Sequence, residues 1–294
     1  MSEIIQQLVN TLAVGSTYAL LALGLAAVFN ILRMINFAHG ELLTIGGFTM
    51  YALANAGAPW LVVLPAAVMV PALAGVAMER VAFRPVRGAS LTTTLLTSFA
   101  VSIFLQNALL IIFDARPKGV AFPEWVNRNV EVGGIDIQVL QIISTSVTAV
   151  ALVALLVFLK RSSLGIAMRA AADDFEVTRL MGLRANRVIA AAFAISGALA
   201  GLASILWVAR RGTVDPSMGL TPVLDAFIAV VIGGLGSLSG AVVGGFVLGA
   251  IQVTLESQLS SGSLRYLDAF TLSIVVLVLL VRPQGIFGQQ LERA

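Results

Sequence analysis

The stretch MINFAHGELLTIGGF, residues 34–48, holds the single histidine of the chain. Asn36, His39 and Glu41 lie within six residues there, between two strongly apolar runs. An amide, an imidazole and a carboxylate this close could serve an enzyme or a metal site, or could form a joint between two membrane helices. One histidine and no cysteine exclude multi-histidine metal clusters, histidine relay chains, thiolate ligands and a cysteine nucleophile. The sequence has no GxxxxGK[ST] phosphate loop, no nucleophile elbow and no HExxH. No catalytic or metal-binding constellation is left, and the joint is the stronger reading.

Composition points the same way. Of 294 residues, 59% are hydrophobic and 11% charged, against about 25% charged in an ordinary soluble domain. Too few polar groups exist to cover a soluble surface, so lipid must meet most of the outside. The pattern is that of an all-α polytopic membrane protein with a single transmembrane domain over residues 1–294. No basic cluster with interleaved aromatics suggests nucleic acid. The first apolar run lacks a basic leader and reads as a retained span.

A membrane helix needs about 20 apolar residues. Such runs cover residues 11–32, 37–56, 60–78, 91–113, 139–159, 187–208 and 267–281. The tract 222–256 is too long for one crossing and is broken at Gly233-Gly234-Leu235-Gly236-Ser237, so it reads as a glycine-broken pair. The total is about 8–9 segments.

Basic loops mark the cytoplasmic side. Arg80, Arg84 and Arg87 fall in residues 79–90, and Lys160, Arg161, Arg169, Arg179, Arg184 and Arg187 in 160–187, with Arg282 and Arg293 beyond the final span. Residues 114–138 balance Arg116, Lys118 and Arg128 against Asp114, Glu124, Glu131 and Asp136, as expected of an outer (periplasmic) loop. The N-terminus is then outside and the C-terminus inside. Arg210 and Arg211 break the pattern, since they fall on the outer side.

Several motifs have mechanical readings. In VIGGLGSLSGAVVGG, Gly234, Gly236 and Gly240 have the wrong spacing for a dinucleotide fingerprint. Gly236, Gly240 and Gly244 recur every four residues and, with Gly233, Gly245 and Gly249, suit close helix packing and a hinge more than a lined path. Thr94, Ser98, Ser102 and Gln106 form one polar stripe, and Gln141, Thr145 and Thr148 a weaker one. Such stripes either join helices by hydrogen bonds or face a translocation path. Neither span holds a charge, which disfavours an ion pump with buried carboxylates. Asp225 falls in an apolar tract, near an interface or within membrane depth. Residues 162–188 are charged, amphipathic and helix-prone, suited to lying on the membrane surface or to docking a partner.

Taken together, NFAHGE (36–41), ERVAFRPVR (79–87), SIFLQN (102–107), GIAMRAAADDFEVTRLMGLRANRVIAAAF (165–193), GGLGSLSGAVVGG (233–245) and RPQGIFG (282–288) resemble the permease subunits of ABC importers for branched-chain amino acids. The length resembles the smaller of the two homologous permeases in such systems. The resemblance implies a second permease, two cytoplasmic ATP-binding subunits that use ATP and Mg, a periplasmic solute-binding protein, and a bacterial inner-membrane location. No cofactor is expected on this chain. The resemblance also implies that residues 162–188 couple to the ATPase, through Gly165, Arg169, Ala171, Asp173, Asp174, Glu176, Leu180 and Gly182. Related permeases carry urea, short amides or other amino acids. The competing class is a secondary transporter or channel that needs no ATPase.

Returning to the joint, Asn36 is suited to cap the helix over 37–56. Glu41 would then sit in the first turn, favoured by the helix dipole and within reach of Arg33. His39 would lie near the cytoplasmic boundary. On this reading His39→Gln leaves solute uptake nearly unchanged.

Overall fold

The computed structural model describes residues 2–132, 135–173, 175–181, 185–260 and 262–287. In chain order the helices are α1 (Ser2–Leu32), α2 (His39–Asn55), α3 (Trp60–Met78, continued by a π turn over Glu79–Phe83), α4 (Leu91–Phe113), α5 (Val139–Arg161), α6 (Ser163–Asp173), α7 (Phe175–Leu180), α8 (Ala185–Arg211), α9 (Leu220–Gly233), α10 (Leu238–Gln258) and α11 (Leu267–Val281). Strands are confined to β1 (Lys118–Gly119) with β4 (Thr213–Val214), and the hairpin β2 (Asn129–Val132) with β3 (Ile135–Gln138). The fold is all-α, and seven helices among the described residues are long and apolar enough to cross a membrane.

α1 is the axis. Its stretch 14–31 is almost wholly buried, and it packs against α5, α8, α9 and α10. Small residues permit the approach, as membrane helices require. Gly245 and Gly249 of α10 lie on the backbone of Ala19 and Gly15, while Gly240 and Gly244 lie on the backbone of Gly233 and Ala229 in α9. The glycines of α10 thus serve two neighbours on two faces. Gly236 does not join that row: it sits in the linker before α10 with φ 95°, where Ser237 caps the new helix by accepting from the Gly240 N–H at 2.9 Å. Gly197 and Gly201 of α8 meet the backbone of Pro71, Ala72, Ala67 and Val68 in α3 in the same manner. The outward faces of α3, α4 and α11 are apolar, with Leu61, Ile111 and Val281 each more than four-fifths exposed.

Two helices are short. α2 has 17 residues and α9 has 14, about 26 and 21 Å at 1.5 Å per residue, less than the roughly 30 Å of hydrocarbon. The chain leaves α1 at Arg33, whose φ of 51° is left-handed and costs a non-glycine residue about 1–2 kcal/mol. It then runs back along the bundle without helical structure, and His39 meets Gly24 of α1, about 12 Å inward from the end of that helix. From the opposite end, the stretch after α8 packs Val214 and Met218 against Gly47 and brings Gly219 against Gly40 and Thr44. α2 and α9 therefore start side by side inside the bundle and point to opposite ends.

The end of α9 is held by the C-terminal segment. The Ile286 and Phe287 N–H groups donate to the carbonyls of Ile232 and Gly233 at 2.8 and 2.9 Å, satisfying acceptors that a helix end leaves free.

Replacing Gly197 by Leu drives a side chain into the α3 backbone and should destabilise the protein by about 1–3 kcal/mol. Gly119→Ala, with open space around it, should be neutral. Thermal unfolding in detergent compares the two.

Candidate solute path and coupling surface

The sequence-selected residues fall into three groups along the bundle. The middle group surrounds the start of α2. Asn36, His39 and Glu41 are at most 2% exposed. Ser102 donates to Glu41 Oε1 at 3.0 Å, and His39 Nδ1 shares a 3.0 Å hydrogen bond with Ser196 of α8. Among the described residues, neither amide atom of Asn36 has a hydrogen-bond partner. Phe37 stacks on Phe99 of α4 with centroids 4.6 Å apart and leans on Phe227 of α9.

This geometry corrects the joint drawn from sequence. The position before α2 is Ala38, with no side-chain cap. Asn36 instead lies in the non-helical stretch. Arg33 stays at the bundle end, where it donates to the Ala172 carbonyl of α6 at 3.2 Å, and Glu41 turns to α4. His39 is interior, not at a boundary. The cause is the inward run of residues 33–38, which separates groups that a continuous helix would have kept adjacent.

The polar stripe on α4 faces inward, as Thr94, Ser98 and Ser102 are its buried residues and Gln106 is half-buried. Thr94 and Ser98 donate to carbonyls of their own helix. Thr94 also lines a cavity of about 730 Å³ at the basic end, with Arg33, Arg87, Asn186, Phe175 and Leu180. Glu79 and Arg87 form the single ion pair among the described residues, and Arg87 also donates to Asn186 of α8 at 2.6 Å. Burial lowers the Arg87 pKa from its usual value.

At the other end, Gln141 of α5 donates to Asn10 of α1 at 2.8 Å and accepts from the Gln138 N–H. Thr145 bonds its own helix, and Thr148 reaches the Ser16 carbonyl at 3.3 Å, so this stripe serves at least partly to join α5 to α1. Sequence reasoning missed Asn10, Ser196 and Gln252. The last accepts from buried Tyr18 at 2.6 Å, and only the fold brings these residues to their partners.

The connection over 162–188 forms α6 and α7. Ser162 caps α6 through the Gly165 N–H at 2.8 Å, and Gly165 lies against the backbone of Phe158 and Leu159. Arg169 ties α6 to α5 by donating to the Leu159 carbonyl at 3.0 Å. Ala171 is buried, while Leu180 and Met181 are 86% and 78% exposed. Asp173 ends α6. Asp174 and Gly182 lie outside the described residues, as does the Glu176 side chain.

A bundle with seven helices long and apolar enough to cross a membrane among the described residues is that of a multi-pass membrane protein. The family described as "Branched-chain amino acid transport system / permease component" matches residues 7–280, and the chain belongs to that family. It is 38% identical, over 97% of this chain and 96% of the relative, to the high-affinity branched-chain amino acid transport system permease protein BraD of Pseudomonas aeruginosa. It is 36% identical, with the same coverage, to the permease protein LivH of Escherichia coli. Among solved structures, PsaBC from Streptococcus pneumoniae in complex with Fab shares the fold, with a TM-score of 0.50 and 12% identity over 95% of this chain and 92% of that one.

Each unpartnered buried polar atom costs about 1–3 kcal/mol. Asn36→Ala removes two such atoms, so it should raise the unfolding temperature while lowering solute uptake. A residue that served packing alone would lose stability as well. His39→Gln, benign if His39 lay at a boundary, should instead weaken the Ser196 contact and cost about 1 kcal/mol.

Proposed function

We propose that this chain forms half of the membrane pathway of an ATP-driven importer that takes up branched-chain amino acids by alternating access. The names of BraD and LivH support the substrate class. The partners are those the resemblance implies: a homologous second permease, two cytoplasmic ATP-binding subunits that use ATP and Mg, and a periplasmic solute-binding protein. The location is the bacterial cytoplasmic membrane. The observation that carries the coupling role is the α6–α7 piece, anchored to α5 by Gly165 and Arg169 while Leu180 and Met181 stand exposed beside it. Apolar side chains on a short helix at the basic end suit a groove on a partner. Nucleotide bound there must favour one facing of the pathway over the other, since a ligand shifts an equilibrium only by its differential affinity.

Residues 1–294 act as one transmembrane domain, with 162–188 as the coupling element and 114–138 on the periplasmic side. The non-helical stretches leading into α2 and α9 complete their crossings. Counting α1, α2, α3, α4, α5, α8, α9, α10 and α11 as passes gives nine, an odd number that suits an outside N-terminus and an inside C-terminus. Thr94, Ser98, Ser102 and Gln106 face the solute's route on α4, Gln141 and Thr145 on α5, and Asn36, His39 and Glu41 stand at its centre. The breaks at Gly233, Gly234 and Gly236 are the hinge, with Gly240, Gly244 and Gly245 as its packing surface.

The purified complex in liposomes should take up leucine only with ATP, and uptake that survives removal of the ATPases sinks this reading. Recovery of urea or a short amide on the retained binding protein would reassign the substrate. Leu180→Asp should reduce ATPase retention and uptake roughly tenfold or more, as for a contact at the centre of an interface, without changing the unfolding temperature.

A further inference from the structure

Among the described residues, a second cavity of about 380 Å³ opens at the end of the bundle opposite the basic loops. It lies between the N-terminal half of α1, the start of α5, and the ends of α8 and α10. Its size is within the range of about 300–1,000 Å³ usual for small-ligand sites. Its buried lining is mixed: Val14, Leu206 and Val253, each at most 7% exposed, stand beside the buried hydroxyl residues Thr17 and Ser144. The lining is charged with both signs, by Arg210 from α8, Glu256 from α10 and Asp136 from β3, with the amides of Asn10 and Gln141 between α1 and α5.

Neither Arg210 nor Glu256 is held in an ion pair among the described residues. Arg211, next in sequence, lies over the Trp207 ring with 5.1 Å to its centroid. Arg210 forms no ion pair or hydrogen bond among the described residues, and neither does Glu256. Arg210 also opposes the distribution of basic residues that orients the chain, so topology does not account for it. Glu256 lies in the last turn of α10, where the helix dipole disfavours an anion by about 0.3–1 kcal/mol. A cation brought into the mouth would remove that penalty.

We propose that this cavity is a low-affinity site for a zwitterionic amino acid with a branched aliphatic side chain. Arg210 receives the carboxylate, Glu256 the ammonium, and Val14, Leu206 and Val253 the side chain. The two charges fix the α-carbon at the mouth, and Val14, Leu206 and Val253 give an aliphatic side chain apolar contact away from water. The site rests on the import reading above and adds to it a holding point inside this chain, before the buried polar group around Asn36.

The test uses the complete complex in liposomes and photo-leucine, a diazirine analogue of leucine, with adducts mapped by mass spectrometry. Adducts are expected on the wall formed by Val14, Leu206 and Val253. L-leucine should compete with them, whereas leucinamide, lacking the carboxylate, and 4-methylpentanoate, lacking the ammonium, should compete poorly. Arg210→Gln and Glu256→Gln should each reduce labelling roughly tenfold or more, the worth of a charge-assisted hydrogen bond. Val253→Phe, which fills the cavity and keeps both charges, should do the same. Wall adducts that are absent, that leucine does not displace, or that persist equally in Arg210→Gln and Val253→Phe overturn the site. ATP-driven leucine uptake by the same wild-type liposomes separates the two readings. Uptake without wall adducts removes this site alone, and no uptake removes the import reading.

Discussion

Hydrocarbon offers no water to a broken helix, so a helix can begin inside a membrane only where protein covers its exposed backbone. Two helices of this chain do so at one place. Gly40 and Gly219 lie in backbone contact, with Thr44 beside them, at the shared start of α2 and α9. Neither glycine has room for a side chain. Around this contact, α1, α4 and α8 supply the cover: Gly24 receives the His39 ring, Ser196 its Nδ1, and Phe99 stacks on Phe37. Much of the bundle can be understood as the enclosure this double start requires.

The enclosure depends on small residues. Within lipid, apolar helices gain little from leaving one another's surroundings, so close packing must supply the association. α10 divides its glycines between α9 and α1, and α8 presents Gly197 and Gly201 to α3. These contacts hold α1 at the axis while α3, α4 and α11 turn apolar faces outward. The bundle is interrupted at one level, where the short helices α2 and α9 start side by side and diverge.

The polar groups at that level are costly where they stand. Asn36 is buried with both amide atoms unpartnered among the described residues. Buried polar groups are ordinarily satisfied, and Asn36 is an exception at the helix break. The family to which the chain belongs is one of transport permeases.

Periodic and compositional features were legible from residues alone. The apolar runs, the inward stripe of Thr94, Ser98 and Ser102, and the helix-prone connection over 162–188 each follow from local spacing. The helix over 37–56 was legible as an element but not in its placement. Asn36 has the composition of a cap, and Arg33 and Glu41 the spacing of a pair, yet neither role is taken. Residues 33–38 leave the helix and run inward, and that run is decided by contacts with Gly24, Ser196 and Gly219, far away in sequence. Gly236 likewise matched the four-residue rhythm but lies in the linker, because the chain must turn with φ 95° there. The sequence by itself determined that the chain is helical, lies in lipid and packs through small residues, since hydropathy and side-chain size act at the scale of one helix. Only the tertiary structure decided which polar groups lose water and which charges meet at a cavity mouth, because burial and pairing depend on where distant segments come to rest.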